Sequence, residues 1–172
     1  MTNVMNMAGN EKYTSIDLAK EPEAFYNISN KYVRMLGVLG GSSRVGQVVN
    51  SDIDLIEVTR RGLPKSVLFS LCEVLGISME HMSNLLHVSH RTLQRKEDKE
   101  LLSVYSTEQL FEIAALVSHG ISVFGTLQKF KDWLHSTPLL FEGQKPLDFL
   151  DTTFGIQYVD SVIGRIEHGV YS

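Results

Sequence analysis

The sequence predicts an all-α fold with a helix-turn-helix at its centre, and three observations point to it. Apolar residues recur at spacings of three and four through most of the 172 residues, the period of a helix that buries one face. Serine or threonine stands ahead of several of these runs and glycine or proline behind them, the punctuation of helix starts and stops. No segment shows the sustained alternation of a half-buried strand.

In chain order, residues 1 to about 24 are polar, lack apolar periodicity and are expected to be poorly ordered or loosely docked. A short apolar segment follows, with Tyr32, Val33, Met35, Leu36, Val38 and Leu39. Gly40-Gly41-Ser42-Ser43 reads as a flexible joint; the run from Gly40 to Gly46 lacks the closing Gly-Lys-Ser/Thr of a phosphate loop. From Asp52 the pattern is helical, with Asp52 or Asp54 as the cap of a helix carrying Ile53, Ile56 and Val58 up to Gly62. Pro64 is placed in the first turn of the next helix. There Leu63, Val67, Leu68, Leu71, Val74 and Leu75 form one stripe closed by Gly76. Cys72 lies beside that stripe as buried filler, with no base to make it a nucleophile.

Ser78 caps a helix from Met79 to Leu86, and Ser89 caps another from His90 to about Lys96. Ser106-Thr107-Glu108-Gln109 has the form of a capping box opening a helix with Leu110, Ile113, Ala114 and Val117 inward. Gly120 weakens its continuation to Phe124. Thr126 caps a short helix holding Leu127, Phe130, Trp133 and Leu134, ended before Pro138, and Pro146 starts a one-turn piece through Leu150. The last helix puts Ile156, Val159, Ile163 and Ile166 on one face and stops at Gly169.

Composition narrows the function classes. With 43% hydrophobic and 21% charged residues, the chain can bury one core or two small ones. No apolar stretch approaches the roughly 20 residues of a membrane helix, and Met1 to Lys12 lacks the pattern of a signal peptide. The single cysteine excludes an internal disulfide and a cysteine-based zinc site, and points to a reducing, cytoplasmic location. No nucleophile–base arrangement, metal set or glycine-rich cofactor loop is in view, so neither enzyme, cofactor nor metal is expected; His81, His87 and His90 are spread over a helix and a turn. The net charge of -4 argues against a protein that is basic all over, which leaves nucleic-acid contact to a local patch.

Such a patch lies in the helix-turn-helix. Ser83 supplies the small residue that lets the second helix cross close to the first, Leu86 and Val88 bracket the turn, and Leu93 anchors the second helix inward. His87 falls where glycine is usual, a departure histidine tolerates at some cost. The outward residues are His90, Arg91, Thr92, Gln94, Arg95 and Lys96, with Ser89 at the cap. These are the types that reach phosphates and base edges, and the cap leaves backbone N–H groups for a phosphate. The competing reading is a solvated face balanced by Glu97, Asp98 and Glu100.

The sequence resembles the Xre/MbcA/ParS-type antitoxins. In the middle the resemblance rests on Gly62-Leu63-Pro64, Leu75-Gly76-Ile77-Ser78 and Ser89 to Lys96. Further on it rests on Phe124-Gly125, Trp133-Leu134, Pro146-Leu147-Asp148, Leu150-Asp151-Thr152 and above all Gly164 to Ser172. It covers about residues 52 to 172, and the chain is expected to end where family members end. Leu140-Phe141-Glu142-Gly143 and Lys96 depart from the usual Leu-Gly-Gly and second arginine; the lysine keeps the charge and loses bidentate geometry.

The resemblance implies an Xre-like DNA-binding domain at 52–103 and a toxin-binding helical domain at 104–172. Residues 1–51 form an N-terminal segment, partly flexible, for which dimerisation is one expected role. It also implies a type II antitoxin that occludes a RES-domain, NAD-degrading toxin encoded beside it and represses its own operon. The partners are then that toxin, operator double-stranded DNA and a second copy, without a membrane. For the toxin contact, Tyr158, Arg165, His168, Gly169, Tyr171 and Ser172 lie on or near the exposed side of the last helix and at the chain end. Arginine and tyrosine are common interface anchors, and Arg165 and the terminal carboxylate suit an NAD-shaped cleft. A plain helix C-terminus, with His168 favourable to the dipole and Gly169 as cap, explains the same residues. The alternative for the whole chain is a stand-alone helix-turn-helix repressor with a C-terminal effector or self-association domain.

Overall fold

The computed structural model describes Leu18 and residues 30–170, and the regular structure among them is helical. Helix α1 (Lys31–Val38) starts where the Asn30 side chain accepts the N–H groups of Tyr32 and Val33. It lays Val33 and Leu36 into the core and packs along α7 (Val104–Phe124). Leu18 joins that core, fully buried, with its N–H donated to the Gly37 carbonyl at 2.9 Å.

The glycine-serine run after α1 is a fixed corner rather than a joint. Gly40 has a φ of +92°, and a Cβ there would stand 2.3 Å from Ser70 Oγ, so only glycine lets the chain pass this close. The next residues wind into α2 (Ser42–Val45), where Arg44 Nη1 donates to Ser70 Oγ at 2.8 Å and the Ser66 carbonyl at 3.2 Å. Helix α3 (Asp52–Arg61) is capped by Ser51, not by either aspartate. Ser51 Oγ accepts the Asp54 N–H while the Asp54 carboxylate accepts the N–H groups of Ser51 and Asn50. Asp54 is thus the far member of the capping box, held below the usual carboxylate range by the N–H of Asn50 and its other donors.

Pro64 lies before α4 (Val67–Leu75), not in its first turn. It faces Leu101 in an isolated antiparallel bridge, flanked by Leu102 N–H to Leu63 O at 2.8 Å and Lys65 N–H to Glu100 O at 2.9 Å. Proline is suited to this non-hydrogen-bonded position, where its missing donor costs nothing. Helix α5 (Met79–Leu85) and helix α6 (His90–Arg95) follow, capped by Ser78 and Ser89. Helix α7 opens at Ser103, whose Oγ accepts the Ser106 N–H, three residues ahead of the expected box. Thr107 is committed to the Leu63 N–H instead, and Gln109 to carbonyls on two other elements.

Helix α7 runs unbroken through Gly120, and the reason is packing: a Cβ there would lie 2.2 Å from the Phe130 ring. Phe130 belongs to α8 (Leu127–Leu134), capped by Thr126. Around it Phe124, Trp133, Phe141, Phe149 and Tyr158 form a chain of ring contacts with centroids 5.1–6.1 Å apart. Each such pair contributes about 0.5–1.5 kcal/mol beyond its area. From α8, His135 and Lys131 donate to the Leu75 and Glu73 carbonyls, closing the C-terminus of α4. Two 3₁₀ turns (Leu139–Phe141 and Pro146–Phe149) lead to α9 (Thr153–Glu167), which packs chiefly against the second turn and, running in the same direction, along α7, with Thr153 bonded to Glu112 and Asp160 to His119. Among the described residues no single helix is long and apolar enough to cross a membrane.

Candidate nucleic-acid and partner interfaces

Helix α6 is held by little. It has six residues, and Leu93 alone is buried, packed into the core. Ser83 is buried in α5 beneath it, leaving the room a larger side chain would fill. Leu86 is buried and Val88 half-buried on either side of the turn. His87 takes the left-handed conformation at φ 52°. At the other end Lys96 leaves the helix in extended backbone.

The sequence-predicted residues divide into free and committed groups. Arg91, Thr92, Gln94 and Arg95 are exposed and His90 half-buried. The guanidinium groups of Arg91 and Arg95 pair with none of the described residues. Ser89 Oγ accepts the Thr92 N–H at 3.1 Å and shares a hydrogen bond of 2.6 Å with Thr92 Oγ1, so both hydroxyls are engaged in the cap. Lys96 Nζ is also engaged, with Glu100 Oε1 at 3.3 Å and the Leu101 carbonyl at 3.2 Å. Asp98 pairs with Lys65 at 3.4 Å, and the Glu97 N–H, with Lys96 beside it, holds Glu100 below the usual carboxylate range. The acidic turn therefore neutralises Lys96 and Lys65, not the two arginines. The α6 surface keeps two exposed cations without partners among the described residues on an otherwise polar face, which suits a hydrated polyanion.

Helix α9 presents a different surface. Ile156, Val159, Val162 and Ile163 are buried, while Ile166 is only half-buried. The outward face carries Phe154, 86% exposed, then Tyr158, Ser161, Arg165 and His168 at helical spacing. Tyr158 OH donates to the Leu140 carbonyl at 2.6 Å, which brings Leu139, 96% exposed, and Leu140 to the edge of the same face. Arg165 has no side-chain partner among the described residues. The helix ends in a Schellman turn, with Val170 N–H to Arg165 O at 2.9 Å and Gly169 N–H to Ile166 O at 3.1 Å. Tyr171 and Ser172 lie outside the described residues. Phe154, Leu139 and Leu140 were missed by the periodicity, which marks the buried face; an aromatic residue off that stripe and one turn before Tyr158 is the signal that finds them.

Two other side chains bear on chemistry. Burial pushes the Cys72 thiol up to about 11, so it stays protonated and unreactive at neutral pH. His119 of α7 bonds Asp160 Oδ1 at 2.7 Å and Glu167 Oε2 at 3.4 Å, both on α9. Burial lowers its basicity, but the two carboxylates prevail and hold its pKa above the ordinary histidine value.

Two family models match the chain. Residues 54–115 match the antitoxin Xre-like helix-turn-helix domain, and residues 119–169 match the antitoxin Xre/MbcA/ParS C-terminal toxin-binding domain. Together they span about two thirds of the chain, and both reach into α7: the first ends and the second begins within it. No curated protein matches the sequence.

Proposed function

The chain belongs to the Xre/MbcA/ParS family of antitoxins, and on that premise we propose that it is a type II antitoxin acting by binding alone. Its partner is a toxin. In this reading the toxin is a RES-domain enzyme that degrades NAD, and α9 with the chain end occludes its active site. The helix-turn-helix represses the antitoxin's own operon in the cytoplasm, as a dimer or within a hetero-oligomer with the toxin. One α6 offers few phosphate contacts, so two copies spaced about 34 Å apart on a palindromic operator supply the affinity. Residues 52–103 serve the operator, 104–172 the toxin, and 1–51 dimerisation.

The observation that carries the reading is the face of α9. Phe154, Tyr158, Leu139 and Leu140 put apolar surface in water on the side of α9 that Arg165 continues toward the end of the helix, the composition of an interface anchor rather than of a solvated helix. On α6, the unpaired Arg91 and Arg95 support the operator contact, with His90, Thr92 and Gln94 beside them for bases or phosphates. Ser89 and Lys96 act there mainly as the cap and the turn. The test is co-expression with a RES-domain partner, reading complex formation and NAD loss. The full chain co-purifies and protects NAD, whereas a chain lacking Arg165 to Ser172 releases the toxin while the middle domain stays folded. Full protection by the truncated chain refutes the cleft-blocking role.

A further inference from the structure

Helix α6 ends without the residue that closes its neighbours. Helices α4 and α7 stop at Gly76 and Gly125, whose left-handed backbone turns an N–H back onto the last carbonyls. At the end of α6, Lys96 runs on in extended backbone at φ -71° and ψ 138°, so no such N–H returns. A side chain from outside the helix takes its place: Lys65 Nζ donates to the Lys96 carbonyl at 2.6 Å.

The Lys65 side chain is only 11% exposed, a burial that a lysine sustains only with partners. Besides the Lys96 carbonyl it has Asp98 Oδ1 at 3.4 Å and the Phe69 ring, 5.8 Å from its centroid. Its backbone is fixed to the same turn, with Lys65 N–H to Glu100 O and Ser66 N–H to Asp98 O, both at 2.9 Å. Residues 96–100 are thus tied to the approach to α4 by main chain and by one ammonium. A cation at this end of α6 also opposes the partial negative charge of the helix terminus. With its ammonium buried and spent, Lys65 offers no contact to a phosphate; what it offers is the position of α6.

That position matters because Leu93 is the only residue of α6 that is buried. One buried side chain pins the helix at a point and leaves its tilt open. The Ser89 cap at one end and the Lys65–Lys96 contact at the other close that freedom. Arg95 immediately precedes Lys96, so the held carbonyl fixes the end of the helix from which its guanidinium projects. We propose that Lys65 is a positioning residue for operator binding: it holds the C-terminal end of α6 so that Arg91 and Arg95 meet the DNA already in place. The ordering is then done in folding and not left to be done on binding. This role rests on the operator reading given above.

The test titrates the full chain, free and in the complex with any toxin it captures, with the double-stranded DNA upstream of its own gene. A random duplex of equal length is the reference, and salt is varied. Lys65→Met keeps the buried stem and removes the ammonium. Affinity for the upstream DNA falls about fivefold or more, while the salt slope stays within about half a counterion of the native one, since no phosphate contact is lost. In an Arg95→Ala background the same change costs less than about twofold, because the group it places is gone. Amide exchange in the last turn of α6 rises about fivefold or more. Thr126→Ala, which removes the cap of α8, moves neither reading, whereas a general loss of stability would show there as well. Lys65→Arg keeps the charge but replaces a compact ammonium by a longer planar head, and loses about threefold or more; it decides the case should Lys65→Met unfold the chain. Unchanged affinity in Lys65→Met, or full affinity in Lys65→Arg, overturns the proposal. So does a slope lowered by about one, which would make Lys65 a phosphate contact. A native chain that binds the upstream and random duplexes equally overturns the operator reading itself, and the positioning role with it.

Discussion

Helices α6 and α9 start near each other, with His87 ahead of the one bonded to the Asp151 carbonyl ahead of the other, yet they meet the solvent in opposite ways. Helix α6 is short, buries Leu93 alone, and shows unpaired arginines among polar groups. Helix α9 is fifteen residues long, buries five of them, and exposes Phe154 and Tyr158 on its free side. A polar, cationic face gains affinity by displacing counterions and loses it in salt. An apolar face gains by leaving water and is nearly indifferent to salt. Two kinds of partner can therefore be held by one acidic chain without competing for the same surface.

The sharpest way to break this contrast is to remove the only buried side chain of α6. Leu93→Ala leaves a cavity costing about 2–5 kcal/mol, and amide exchange should place the loss in α5 and α6 while α9 keeps its protection. Uniform loosening would mean that α6 and α9 do not open separately. Next in size, Phe154→Ala is expected to weaken toxin capture by about 2 kcal/mol or more, roughly thirtyfold, with operator affinity unchanged; calorimetric titration reads both. Arg91→Ala and Arg95→Ala should each lower the salt dependence of operator binding by about one counterion, and leave toxin binding at any salt as it was. An unchanged slope would remove the recognition helix from the DNA.

The smallest effect is at His119, which ties α7 to the end of α9. Its folded-state pKa is raised by Asp160 and Glu167. The contact therefore contributes fully below the unfolded value of about 6.5 and is lost as pH rises through the raised one. The stability difference between the native chain and His119→Gln should be largest near about pH 5.5 and shrink by about pH 8.5. With these side chains 30% and 50% exposed, screening keeps it under about 1 kcal/mol. A difference that grows with pH would contradict the ion pair.

What could be read from the sequence was local. Ser78, Ser89 and Thr126 cap where their spacing says, because an N-cap bonds an amide three residues on. The same locality misled at Ser106 and at Asp52 or Asp54: Ser103 and Ser51 fit the pattern equally, and tertiary partners decided which took the role. Thr107 goes to Leu63, and Asp52 to Tyr32 and Lys31. Gly120 reads as a helix breaker until Phe130 lies against it, and Gly40 as a joint until Ser70 does. The surfaces were half legible. Arg91 and Arg95 follow from their place after the turn, but that Lys96 is spent on Glu100 and Leu101 depends on how the acidic turn folds back. Phe154 looks like core until the rest of α9 is seen to face the other way.

The central claim is that two separate faces serve two partners. It is tested most directly by measuring operator and toxin affinity side by side for Arg91→Ala/Arg95→Ala and for Phe154→Ala/Tyr158→Ala. The account predicts that the first pair loses operator and keeps toxin, and that the second loses toxin and keeps operator. Loss of both affinities from either pair, in a chain that remains folded, would contradict it.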